Sequence, residues 1–119
     1  MTHKTVEKYI LSMPNAYLDY PFGEEVAVYK VGQRAKSKGQ NSSSNDKMFA
    51  LIQEDSKPVK LSLKCDPELS KLLRERYESV MEGYHLNKKH WITVILSSQL
   101  SEAEIEDLIR HSYHLVAGF

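Results

Sequence analysis

Residues 59–69 read Val59-Lys60-Leu61-Ser62-Leu63-Lys64-Cys65-Asp66-Pro67-Glu68-Leu69. Val59, Leu61 and Leu63 alternate with Lys60, Ser62 and Lys64, the period of a strand with one apolar and one polar side. Asp66-Pro67 then opens a helix. The Asp carboxylate accepts backbone N–H bonds at an N-cap, and Pro suits the first helical position, where no N–H partner is needed. Leu69, Leu72, Leu73 and Tyr77 give that helix its apolar stripe. Upstream, Val26–Val31 and Met48–Gln53 read as strands, with Asp55-Ser56-Lys57-Pro58 as the turn into the third. Downstream, a short strand over 79–82 ends at Gly83, and Trp91 to Ser97 forms a fifth.

Three helices complete the order. Val6, Tyr9, Ile10 and Met13 place one over residues 3–13, ended by Pro14. The segment from Asn15 to Gly23, with Pro21, reads as a connecting loop. Ser101-Glu102-Ala103-Glu104 is a capping box for the last helix, whose apolar face is Ile105, Leu108, Ile109 and Val116. The succession α-β-β-β-α-β-β-α implies a single α+β domain over residues 1–119. Its antiparallel sheet of about five strands has helices packed on one face. Residues 32–46 carry no apolar period and are expected to form a long, flexible, basic hairpin loop.

The chain has 119 residues with 41% hydrophobic content, enough for one core without metals or disulfides. Sixteen Lys and Arg balance sixteen Asp and Glu, which excludes a globally basic or globally acidic protein. A single cysteine, Cys65, rules out an internal disulfide and makes the cytoplasm the expected compartment. The first residues lack the apolar core of a signal peptide, and the longest dense apolar run, Trp91 to Leu96, is too short to span a membrane. Asn41-Ser42-Ser43 matches a glycosylation sequon, which has no meaning without secretion. Locally the charge is uneven. Residues 30–47 carry a net +4 and residues 57–91 a net +3, while residues 98–119 carry a net −3. Such a chain can present one basic face to phosphates, or merely solvated surface charge.

Tyr84-His85-Leu86-Asn87-Lys88-Lys89-His90-Trp91 is the densest polar and aromatic cluster. Lys88 and Lys89 could meet phosphates and Asn87 a base edge, while Tyr84, His85, His90 and Trp91 could stack on or contact a ligand. The other reading is a strand connector, with Asn87 satisfying the turn; Trp91, which begins an apolar strand, is expected in the core. Lys60, Ser62 and Lys64 are either a ladder of phosphate contacts or the wet side of a sheet. Asp107 and His111, with His114, lack the further ligands of a metal site. Cys65 beside a helix N-terminus would have a lowered pKa if exposed, or be a small core residue. No nucleotide loop, catalytic triad or zinc-protease motif is present, so neither enzymatic activity nor a cofactor is expected.

Four blocks in order resemble the MmcQ/YjbR-like family: Pro21-Phe22-Gly23-Glu24-Glu25 through Val31, Lys47-Met48-Phe49-Ala50-Leu51, Leu63 through Leu69, and Gly83 through Val94. His85-Leu86-Asn87-Lys88-Lys89-His90-Trp91 is the most specific part. The resemblance covers nearly the whole chain. It implies a compact α+β fold, described as a double wing and compared with the CyaY fold and with type III secretion chaperones. It also implies double-stranded DNA as partner, through Lys60, Lys64, Asn87, Lys88 and Lys89. The connection between Val31 and Lys47 is longer than the family's usual turn, and its Arg34, Lys36 and Lys38 would add phosphate contacts. The alternatives are a protein-interaction or chaperone-like module, and a small-ligand site around Tyr84–Trp91 that would require a pocket there.

Overall fold

The computed structural model describes residues 2–32, 46–54, 57–83, 86–97 and 99–117. The elements follow in the order α1 (His3–Leu11), β1 (Ala16–Asp19), β2 (Val26–Val31), β3 (Lys47–Gln53), β4 (Lys60–Lys64), α2 (Pro67–Arg76), β5 (Val80–Glu82), β6 (Trp91–Ile95) and α3 (Glu102–Ala117). The six strands form one antiparallel sheet in the spatial order β1-β2-β3-β4-β6-β5. The α+β class and the antiparallel sheet agree with the sequence pattern. The sheet has one strand more than the five expected, because β1 lies in what reads as a connecting loop. Its four residues are bracketed by Pro14 and Pro21 and show no clean alternation, so periodicity has nothing to detect. Asn15 adopts φ 63°, a left-handed conformation that asparagine tolerates, and its carbonyl accepts the Gly32 N–H at 2.8 Å. That turn delivers β1 to the edge of β2. The basic loop expected over 32–46 falls, from 33 to 45, outside the described residues.

The helix ends obey the sequence signals. Asp66 Oδ2 accepts the N–H groups of Glu68 and Leu69 at 3.1 and 3.2 Å. In the capping box, Ser101 Oγ accepts the Glu104 N–H while Glu104 Oε1 accepts the Ser101 N–H. These bonds, together with the Tyr77 hydroxyl, hold the Glu104 carboxyl below its ordinary range.

All three helices cover the same face. Val6 and Ile10 from α1 and Ile105, Leu108, Ile109 and Tyr113 from α3 pack on Ala27, Tyr29, Phe49, Ile52, Leu61, Leu63, Ile92 and Val94. From α2, Leu69 and Leu73, with the C-cap residue Tyr77, join this core, whereas Leu72 is 63% exposed and drops out of the expected stripe.

The helix layer is fastened to the sheet at Ser112. The β3–β4 register runs Ile52↔Leu61, Leu51↔Ser62, Ala50↔Leu63. At the next step, Phe49 and Lys64 are joined through the Ser112 hydroxyl, which donates to the Phe49 carbonyl and accepts the Lys64 N–H at 2.9 Å. Phe49 is the extra residue of a bulge, since Tyr29 pairs with Ala50 and Lys30 with Met48. Its ring meets Tyr113 edge-on, with centroids 5.5 Å apart.

Ser112→Ala leaves two buried backbone groups without their bridge. It should lower unfolding free energy by about 2–3 kcal/mol in a urea titration, and a loss within about 0.5 kcal/mol would show that water or relaxation satisfies them. Gly83 donates its N–H to the Trp91 carbonyl, and a Cβ there would lie 2.6 Å from Trp91 Cβ. Gly83→Ala should therefore cost about 1–3 kcal/mol in the same titration, and an unchanged midpoint would show that the connector shifts freely.

Candidate functional site

Strand alternation sends the second set of side chains to the face without helices. Adjacent registers place Val28, Leu51, Ser62, Thr93 and Met81 in one row across it. A neighbouring row begins Val26, Gln53, and continuing the β3–β4 register by one residue sets Lys60 beside Gln53. Neither row is the wet sheet surface that the sequence allows. Ser62 and Thr93 are buried and hydrogen-bonded to each other at 2.9 Å. Val28, Leu51 and Trp91 form a second apolar cluster, flanked by Val26, Met48 and Leu86.

Two loops rise over this face. In the turn Tyr20-Pro21-Phe22-Gly23, Pro21 presets the bend, Gly23 takes φ 101° and donates its N–H to the Tyr20 carbonyl, and Phe22 stands at the tip, 62% exposed. On the other side, Leu86 leans in from the 83–91 connector. Between them lies a cavity of about 300 Å3 with Val26, Leu51, Gln53, Lys60, Ser62 and Thr93 as its floor and Phe22 and Leu86 as walls.

The connector ends in a tight turn. Asn87 Oδ1 accepts the Lys89 N–H at 2.9 Å, and the Asn87 carbonyl accepts the His90 N–H at 3.2 Å. The Asn87 carboxamide thus shapes the turn through its oxygen. Asn87, Lys88, Lys89 and His90 are all exposed. The His90 carbonyl accepts the Cys65 N–H, which seats the turn at the Lys64 end of β4, where Lys64 pairs with Trp91. Lys64 and the 87–90 turn therefore share one end of the sheet, while Lys60 stands at the other, beside Val26 and Gln53. Trp91 is only 6% exposed, so its ring belongs to the second cluster, against which Leu86 packs, and offers no open stacking face. Tyr84, His85, Arg34, Lys36 and Lys38 lie outside the described residues.

The carboxylates are distributed differently. Packing of Ile105, Leu108 and Ile109 on the helix face puts the acidic α3 across the sheet from Lys60 and Lys64. Glu24, Glu25 and Glu54 gather with Tyr20 at the start of β2 and the end of β3, and His3 approaches Glu54 and Glu7 at 3.7 and 3.9 Å. Under α1, the Tyr29 hydroxyl donates to Glu7, and burial with that carboxylate drives its pKa upward. Lys30 is paired with Asp19 at 3.1 Å. Among the described residues no group of three or more His, Cys, Asp or Glu is placed to hold a metal ion. His111 Nε2 accepts the Asp66 N–H, and Asp107 pairs with Arg110. No described helix is long and apolar enough to cross a membrane.

Sequence reasoning missed Phe22, Val26, Leu51, Gln53 and Thr93 as cavity residues, since they come from separate strands and a turn that only the sheet assembles. The one available signal was Phe22, a large apolar residue set between the turn formers Pro21 and Gly23.

Relatives share this architecture. The chain is 38% identical over 114 residues to the uncharacterized protein YbdF of Escherichia coli O157:H7, covering 96% of this chain and 83% of YbdF. It is 41% identical over 68 residues to YjbR of Escherichia coli K12, covering 57% of this chain and 58% of that protein. The crystal structure of Deinococcus radiodurans protein DR2400 superimposes with a TM-score of 0.85 at 36% identity, over 99% of this chain and 81% of that one. A Pseudomonas syringae protein of known crystal structure matches with a TM-score of 0.74 at 29% identity, over 98% of this chain and 99% of that one. The YjbR family model matches residues 11–115, and with these relatives it establishes that the chain belongs to the YjbR family.

Proposed function

We propose that this chain is a non-enzymatic binding module that holds the phosphate backbone of double-stranded DNA at the Lys64 end of its sheet. The carrying observation is the junction of Lys64 with the exposed Asn87–His90 turn, on a sheet whose acidic helix covers the other face. Lys88 and Lys89 bring ammonium groups to one exposed turn, and phosphate contacts from such groups position a duplex without reading its sequence. Segregation of the α3 carboxylates across the sheet removes them from the approach path. The Glu24, Glu25 and Glu54 cluster disfavours phosphates at the opposite end, which supports an approach at the Lys64 end.

Cys65 supports the non-enzymatic part. It is 2% exposed, and burial, aided by the Asp66 charge, pushes its thiol up to about 11. The lowered pKa that its place before a helix N-terminus allows is thus reversed, because desolvation outweighs the helix end.

Fluorescence anisotropy on a labelled duplex should show log affinity falling linearly with log salt, by about 0.9 per phosphate neutralised. Lys64→Ala, Lys88→Ala and Lys89→Ala should each reduce that slope by about 0.9 on any DNA sequence, while Glu106→Gln on α3 should leave it unchanged. Absence of binding at low salt with tens of micromolar protein would overturn the proposal. For Cys65, modification by an aromatic disulfide reagent at about pH 8 should be at least about 100-fold slower in the folded chain than in denaturant, since the raised pKa depletes the thiolate. Similar rates in both states would make Cys65 a candidate nucleophile.

A further inference from the structure

We infer that the cavity between Phe22 and Leu86 is a binding site for a compact, uncharged aromatic molecule. Its volume of about 300 Å3 stands at the small end of ligand pockets, suited to a body of one or two rings and too narrow for a duplex. Much of the lining is carbon, with Val26 and Leu51 in the floor and Phe22 and Leu86 as walls. Phe22 is 62% exposed at the tip of its turn, and the bend set by Pro21 and Gly23 keeps the ring beside the cavity rather than in the core. A flat ligand would cover that ring edge-on or offset while lying over Leu51.

The polar groups in and around the lining decide against a charged ligand. Ser62 and Thr93 hydrogen-bond to each other at 2.9 Å, so the centre of the floor needs no polar partner from outside. Lys60 already has an interaction partner, so its ammonium is not held in reserve for an anion. Glu24 and Glu25 precede Val26, and Glu54 follows Gln53, which gathers three carboxylates at this end of the sheet. An anion would therefore leave water for a place where Lys60 is engaged and the nearby carboxylates repel it. A cation would leave water for a lining that includes Lys60 and, among its described residues, no carboxylate. An uncharged ring meets neither cost. The Gln53 carboxamide carries N–H donors and a carbonyl acceptor, so it can meet a hydroxyl or a carbonyl on such a ring with no charge on either side. The site stands apart from the nucleic-acid proposal, since it uses the Phe22 turn and the Val26 end of the sheet rather than Lys64 and the 87–90 turn.

The test uses three probes with one ring system: neutral 2-naphthylmethanol, anionic 2-naphthoate and cationic 2-naphthylmethylammonium. Each is titrated at neutral pH into isotope-labelled full-length chain to about 3 mM, a range matched to the affinity that so small a body can reach. 2-Naphthylmethanol should shift the amide resonances of Leu51, Gln53, Ser62 and Thr93 saturably and bind at least about threefold more tightly than either ion. Phe22→Ala, at an exposed position, should weaken it by about three- to tenfold. Val26→Phe, which fills the slot from a half-buried position, should abolish the shifts while the helix-face resonances stay in place. Lys60→Met should leave the neutral probe's affinity within about twofold, since no charge of the ligand is being met there. Absence of saturable shifts, shifts mapping to the helix face, or binding of either ion as tight as that of the alcohol would overturn the assignment. Shifts of the same residues that follow protein concentration without any probe would seat a second copy of the chain in the slot, and would overturn it as well. None of these outcomes bears on DNA binding at the Lys64 end.

Discussion

The Ser112 hydroxyl fixes which side of the sheet is covered. The bulge at Phe49 draws that residue out of step with β2, and direct β3–β4 pairing gives way to a side-chain bridge from α3. A hydroxyl buried between two strands satisfies a donor and an acceptor that would otherwise be stranded in the core. With α3 pinned there, Ile105, Leu108 and Ile109 fall onto the apolar rows of β3 and β4, and α1 fills the space over β2. The opposite face is left to loops, and Lys60, Lys64 and the Asn87–His90 turn lie on it or at its ends.

That uncovered face has two unlike ends. Toward Lys64 it meets the Asn87–His90 turn, cationic and exposed. Toward Val26 it sinks into an apolar slot edged by Gln53 and Lys60, with Glu24, Glu25 and Glu54 nearby. The first end gathers the Lys64, Lys88 and Lys89 cations that the proposed phosphate contacts would use. The second end is the more enclosed, with Phe22 and Leu86 lining the cavity. The two ends of one sheet face thus differ in charge and in enclosure.

Several elements were legible because their signals are local. Asp66 before Pro67 caps α2, the Ser101 and Glu104 pair caps α3, and the alternation from Val59 to Lys64 marks β4. β1 was illegible because four residues at a sheet edge, half exposed and flanked by prolines, carry neither alternation nor an apolar run. Leu72 illustrates the converse: it fits the helical stripe, yet α2 lies at the sheet's end, where the core does not extend beneath it. Trp91, which begins an apolar strand, read as core rather than as a stacking face, and the structure places it in the second cluster with Leu86 packed against it. For the site, Lys60, Ser62 and Lys64 were readable as one strand face, but not that Ser62 would be buried against Thr93 or that the two lysines would serve separate ends.

By itself the sequence determined the class of fold, the order of all elements but one, the helix caps and the separation of basic from acidic segments. Each of these depends on residues within a few positions of one another, where capping, alternation and charge act directly. Only the tertiary structure decided which face the helices cover, that Lys64 joins the Asn87–His90 turn while Lys60 joins Gln53, and that Phe22 and Leu86 enclose a cavity. Those outcomes depend on pairing register and on packing between residues far apart in the chain, which no local pattern encodes.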